Sequence, residues 1–206
     1  LKKIIYILFL LAFTLSTACN KTPEKLGMRE YISWVEHPDN GLKKEKTIGE
    51  YKYKVFYKPA DYIALREAVN TNKIDDVAAI QKRADEVGEI YQLNFDITSS
   101  DGKRSALKHN IKSDAEYGAR INYFVSHAQE DFKLVLDTDT LPCTSYHFER
   151  TFGVTPNNTI LLGFKKPKKD TNNEIQLIFK NRLFNSGDIK FLFSEKTLKN
   201  IPQLSL

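Results

Sequence analysis

The chain has 206 residues, with 31 basic and 26 acidic side chains and only two cysteines. The formal charge of +5 falls to +3 without Lys2 and Lys3, too slight to argue for nucleic acid as a partner. If Cys19 is acylated, Cys143 alone cannot build a zinc site on several thiolates.

The first twenty residues carry the strongest signal. Lys2 and Lys3 precede an almost unbroken apolar run from Ile4 to Leu15; Ser16, Thr17 and Ala18 are small, and Cys19 follows. An apolar run of about 12 residues is too short to cross a ~30 Å hydrocarbon core as a helix, which takes about 20. It fits the apolar region of a signal peptide, with a basic start and small residues before the cut. A cysteine at the cut offers a thiol for diacylglyceryl transfer. Residues 1–18 are therefore expected to be a lipoprotein signal peptide, and 19–25 the acylated Cys19 and a short tether. Ser16 departs from the pattern, which more often has Leu there. The competing readings are an ordinary signal peptide cut nearby, or a start at Met28; position 1 itself is Leu.

Stable anchoring takes two lipid chains or more, which a diacylated or triacylated, palmitate-bearing cysteine supplies. The expected partner is thus a membrane, reached through the lipid anchor, and the expected place is the cell envelope. The periplasmic side of the outer membrane is favoured, with the cell surface as the alternative. Loss of Lys2 and Lys3 leaves 29 basic against 26 acidic groups, a formal +3. Cys143 is then the only unmodified thiol, so no intramolecular disulfide is expected.

Beyond the tether, Met28, Tyr31, Ile32 and Val35 predict a helix over Met28 to Glu36, stopped by Pro38 and Gly41. Trp34 lies off that stripe. Strands are predicted over Lys43 to Ile48 and Tyr51 to Tyr57, joined around Gly49. In the second, Tyr51, Tyr53, Val55 and Tyr57 alternate with Lys52, Lys54, Phe56 and Lys58. Its tyrosines suit either a carbohydrate platform or, as favoured here, the core. Helices follow from Pro59 to Val69, with Tyr62, Leu65 and Val69 inward, and from Ile74 to Val87, with Ile74, Val77, Ala84 and Val87 inward.

Glu89 to Thr98 is the clearest strand, and Asp101-Gly102 supplies a turn. Ser113 and Glu116 spell a capping box for a helix reaching His127, with Tyr117, Ile121, Phe124, Val125 and Ala128 as its apolar stripe. Strands are then predicted over Phe132 to Leu136, Thr144 to Phe152, Thr159 to Lys165, Glu174 to Lys180 and Asp188 to Ser194. Asp137-Thr138-Asp139, Pro156-Asn157-Asn158 and Lys168 to Asn173 are read as turns. The pattern is α+β: an antiparallel β-sheet or β-sandwich with three to four helices on one face or end, in a single globular domain over 26–206.

For chemistry, the best constellation is Cys143, Ser145, His147 and Glu149, which alternate and so share one face of an extended segment. A thiol, a hydroxyl, an imidazole and a carboxylate there suggest a nucleophile and a base. Neighbours on one strand face are ~7 Å apart, however, beyond the ~3 Å of a nucleophile–base hydrogen bond. A solvent-facing polar row is the stronger reading, so no catalytic residue is assigned. His37, His109 and His127 are scattered, and no pair has the helical spacing of a metal site. No nucleotide, flavin or metal signature is legible, and no cofactor is expected. The dense run Lys165-Lys166-Pro167-Lys168-Lys169 reads as a solvated hairpin tip, with anionic lipid head groups or acidic polysaccharide as the alternative contact.

Tyr31-Ile32-Ser33-Trp34-Val35 with Asn40-Gly41-Leu42, Tyr57-Lys58-Pro59, Glu149-Arg150-Thr151-Phe152, and Ile189-Lys190-Phe191-Leu192-Phe193 with Ile201-Pro202 together resemble an uncharacterised lipoprotein family of Gram-negative bacteria. The resemblance implies export and anchoring, and brings no activity, catalytic residue or cofactor. Asn20, Lys21 and Thr22 after the cysteine depart from the acidic cluster that accompanies surface display in many related envelopes. The expectation is a non-enzymatic accessory or binding module with envelope protein partners and no nucleic acid. The alternative is an envelope hydrolase, or a carbohydrate-active or glycan-binding protein, whose site assembles only in three dimensions.

Overall fold

The computed structural model describes residues 23–150, 154–168, 174–184 and 186–206. Eleven strands and five α-helices occur among them. The expected signal segment, Cys19 and the start of the expected tether lie outside the described residues, as do Thr151, Phe152 and Lys169.

Two antiparallel sheets face each other. The larger contains β2 (Lys43–Ile48), β3 (Tyr51–Lys58), β4 (Ile90–Ser99), β7 (Ser145–Phe148) and β8 (Asn158–Lys165), in the order β2-β3-β4-β8-β7. The smaller contains β5 (Phe132–Leu136), β6 (Asp139–Pro142), β9 (Ile175–Phe179) and β10 (Ile189–Phe193), in the order β10-β9-β5-β6. A separate parallel pair joins β1 (Lys25–Leu26) to β11 (Gln203–Leu204). Around the sheets lie α1 (Met28–Glu36), α2 (Ala60–Asn70), α3 (Val77–Gly88), α4 (Asp114–Ser126) and the short α5 (Glu195–Lys199). The α+β class, built on antiparallel sheets, is as the sequence predicts.

Period-two alternation sets the inner faces. Tyr53, Val55 and Tyr57 of β3, Leu93, Phe95 and Ile97 of β4, and Ile160, Leu162 and Phe164 of β8 are all buried. From the smaller sheet, Phe132, Leu134, Leu177, Phe179, Ile189, Phe191 and Phe193 meet them. Phe95 lies at the centre, with ring centroids 5.1 Å from Phe132 and 5.4 Å from Phe179, both edge-on. Such pairs add about 0.5–1.5 kcal/mol each beyond the area they bury. The tyrosines of β3 are thus core residues, and Tyr53 is fully buried. They cannot serve as an exposed carbohydrate platform.

The two sheets leave a seam where edge strands β2 and β10 run near each other. There Lys44 and Lys46 lay their ammonium groups over the rings of Phe193 and Phe191, each 5.5 Å from the centroid. Their aliphatic stems cover apolar surface while the charges stay in water.

The helices differ from the sequence reading in which residues they bury. In α2, Tyr62, Leu65 and Ala68 point inward, and Val69 is exposed. In α3 the helix begins at Val77, itself exposed, because Asp76 caps it by accepting from the Ala79 N–H at 3.0 Å. In α4, Val125 is exposed, while Arg120 and Tyr123 join Phe124 on the buried side. Arg120 is tolerated there because its guanidinium donates to the carbonyls of Ala106 and His109 and to Glu116, at 2.7–2.9 Å. Ser113 caps α4 as predicted, accepting from the Glu116 N–H. The carboxylate of Glu116 reaches back to the Lys112 N–H instead of completing the box.

The stretch after β5 also differs. Asp137, with φ of 51°, turns the chain, and Asp139–Pro142 then pairs back on β5 as an unforeseen strand. β7 is shorter than the predicted Thr144 to Phe152.

Candidate functional site

The sequence-derived row does not stay together. Ser145 and His147 are exposed on the outer face of edge strand β7, and Glu149 follows half-buried, its N–H donating to the Thr159 carbonyl at 2.9 Å. Cys143 precedes the strand and is buried, with its thiol donating to the Ser145 carbonyl at 3.1 Å. Burial is the main reason its pKa is pushed up to about 11, against the lowering effect of backbone hydrogen bonds and Lys133. A buried thiol and an exposed imidazole on opposite sides of the strand do not form a nucleophile–base pair.

The other histidines are dispersed. His37 caps the turn over Pro38–Asn40, His109 packs edge-on to Tyr51 at 5.6 Å, and His127 closes α4 in solvent. No group of three or more His, Cys, Asp or Glu that could hold a metal ion occurs among the described residues. None of the described helices is long and apolar enough to cross a membrane. Lys165, the last residue of β8, and Lys168 beyond it are exposed, while Lys166 is half-buried, with its ammonium 5.0 Å from the Tyr91 ring centroid.

A more organised surface lies on the outer face of the larger sheet. In β3 and β4 the residues that alternate with the core are Lys54, Phe56 and Lys58, and Gln92, Asn94 and Asp96. Register aligns them into cross-strand rows. Lys54 opposes Asp96 and Asp96 opposes Thr159; Phe56 opposes Asn94, then Leu161, then His147. Two adjoining hollows share Asn94. One, of about 470 Å³, lies over β2, β3 and β4 between Pro38 and Asp96. The other, of about 380 Å³, lies between α2 and the strands, with Lys58, Arg66 and Gln92 on its walls.

Electrostatics single out two groups on this face. Desolvation raises the Asp96 pKa, although Thr159 donates to it at 2.5 Å and Lys54 and Lys58 stand near. Desolvation likewise lowers the pKa of Lys58, against the attraction of Glu149 and Asp96. A carboxyl and an amine both drawn toward neutrality in an open groove suit recognition of a polar ligand, and also acid–base chemistry.

Sequence reasoning missed this face because its members come from separate elements. One signal was legible: an aspartate in the middle of a strand is disfavoured unless something requires it. A third hollow, of about 550 Å³, lies by α1 among Leu26, Arg29, Trp34 and His37; it is more open than the other two and carries no cross-strand polar row. Trp34 there is half-buried, packed against the core's edge.

Comparison with protein-family models, with curated proteins and with solved structures finds no match to this chain.

Proposed function

We propose that the protein is a bacterial envelope lipoprotein, anchored to a membrane through acylated Cys19. Its domain is a non-enzymatic accessory or binding module that presents the outer face of the larger sheet to its ligand. The membrane, and envelope proteins, are its partners; no cofactor takes part. The resemblance to uncharacterised Gram-negative lipoproteins supports the same placement, with the periplasmic side of the outer membrane favoured.

One observation carries the binding reading: Lys54, Lys58, Gln92, Asn94 and Asp96, on the outer face of β3 and β4, line two adjoining hollows. Support for the anchor comes from the sequence from Lys2 to Cys19. Lys25, six residues on, is already paired into the domain as β1, where the flanking carbonyls of Glu24 and Leu26 accept from the Gln203 and Ser205 N–H groups. Six residues span at most about 20 Å, so a lipid on Cys19 would hold the domain close to the bilayer.

Labelling cells with radioactive palmitate tests the anchor: label on the wild type and its loss from Cys19→Ser is expected, and unlabelled protein overturns it. Crosslinking in intact cells tests the module. Partners should be captured by the wild type and lost from Lys54→Glu and Asn94→Ala, and capture that ignores both substitutions counts against the face.

A second reading, an envelope hydrolase, is favoured by the row that runs from Asp96 through Thr159 to the strand end at Glu149. A carboxyl with a raised pKa and a second carboxylate on the same sheet face are the pair of groups used to break glycosidic bonds. Envelope glycan turnover abolished by both Asp96→Asn and Glu149→Gln would establish this reading over the first.

A further inference from the structure

Lys58 ends β3, and its side chain lies half-buried on the outer face of the sheet. Among the described residues no carboxylate lies within 4.0 Å of its ammonium; Glu149 and Asp96 attract it from farther away. It shares the 380 Å³ hollow with Arg66 and with the side-chain amides of Asn70, Gln92 and Asn94. Glu67 is the carboxylate on that wall, and it is turned to Arg83, which donates to it through two nitrogens at 2.7 and 3.0 Å. Glu36 accepts from the Tyr62 hydroxyl at 2.7 Å and stands 4.0 Å from the Arg66 guanidinium.

Glu67 and Glu36 are thus engaged, while the Lys58 ammonium is desolvated, with the Phe56 ring centroid 5.8 Å away and no carboxylate within 4.0 Å among the described residues. Taking a charge out of water without a partner is costly, and a ligand anion removes that cost. Side-chain amides offer both donors and acceptors, which is the chemistry that recognises hydroxyl groups.

We infer that this hollow binds an acidic saccharide, with Lys58 and Arg66 holding its carboxylate or phosphate and Asn70, Gln92 and Asn94 addressing its hydroxyls. The inference rests on the binding-module reading and supplies its ligand class. Arg66 contributes a planar fork suited to two-point contact with an oxyanion, and Lys58 a compact point charge.

The test is calorimetric titration of the full chain in detergent with glucuronate, glucose-6-phosphate and glucose. Both acids should bind, and glucose should be weaker by about tenfold or more. Lys58→Met and Arg66→Gln should each weaken the acids by about tenfold, with cooperative thermal unfolding retained, while glucose is unaffected. Affinity for the acids should fall as salt rises. The tighter of the two acids identifies the anion. Acids that bind no better than glucose, or that ignore Lys58→Met, overturn the inference. If acids fail while an N-acetylglucosamine oligomer binds and is lost with Asn94→Ala, the module reading stands without this ligand. If no saccharide binds and Lys54→Glu captures the same crosslinked proteins as the wild type, both fall.

Discussion

The hydroxyl of Thr159 donates to Asp96 across neighbouring strands at 2.5 Å, joining residues 63 positions apart on the open face of the larger sheet. The contact lowers the pKa of the carboxyl, and desolvation outweighs it. A carboxyl whose folded pKa lies above its unfolded value holds its proton more tightly when folded. Its favourable contribution is present at low pH and is lost as pH rises through the folded value. Asp96→Asn removes the cost of a desolvated charge and keeps an oxygen for Thr159. Melting curves should place the variant a few degrees above the wild type near neutrality, by about 2–4 °C, with the gain vanishing toward the ordinary aspartate range. A gain that persists in acid would contradict this account.

Asp131 is buried, accepts from the Tyr123 hydroxyl at 2.7 Å and from the Arg182 side chain at 2.8 Å, and so ties α4 to the segment after β9. Asp131→Ala strands both donors and should cost about 3 kcal/mol in denaturant unfolding. Arg182→Ala, on a side chain 58% exposed, should cost about 1 kcal/mol. Equal losses for the two would mean that the buried end of the pair is not the costly one.

Phe95→Ala opens a void between the two sheets, where the ring meets Phe132 and Phe179. A loss of about 3–5 kcal/mol is expected, and calorimetric unfolding measures it. Gly163→Ala probes the sheet edge instead. An added Cβ would lie 2.9 Å from the Ser145 Cβ and 3.2 Å from Ile90, so β7 must shift. A cost of about 1–3 kcal/mol is expected, with faster amide exchange in β7 than elsewhere in the sheet.

Counting thiols separates the core from the anchor. Native protein should react slowly with an aromatic disulfide reagent, because the Cys143 thiol is buried and its pKa is pushed up to about 11. In denaturant the reagent should find one thiol per chain if Cys19 carries its thioether, and two if Cys19 is retained with its thiol free; intact mass separates the thioether from loss of Cys19.

The strands were legible because burial there follows residue type directly. Tyr51, Tyr53, Val55 and Tyr57 are buried in alternation, as their spacing predicts. Helix faces were less legible. Apolar character marked Val69 and Val125 for burial, yet both are exposed, and the charged Arg120 takes an inward place because three oxygens receive its guanidinium. Glu116 is a local partner, four residues back on the same helix, but the other two oxygens come from a loop whose approach no local pattern encodes. The same reason hid the open polar face. Lys58, Asp96, Thr159 and Arg66 meet through strand register and the placement of α2. The row around His147 was legible as a pattern, but Cys143 leaves it once the strand begins at Ser145.

The lysines of β2 have a consequence for crowding. An unpaired strand edge is a template on which a second molecule can add its own backbone. Lys44 and Lys46 set positive charge along that rim while shielding Phe193 and Phe191. Replacing both with neutral residues would bare two aromatic rings beside free main-chain groups. Neighbouring copies would then stick along that rim, and turbidity on concentration would report the change before any loss of fold.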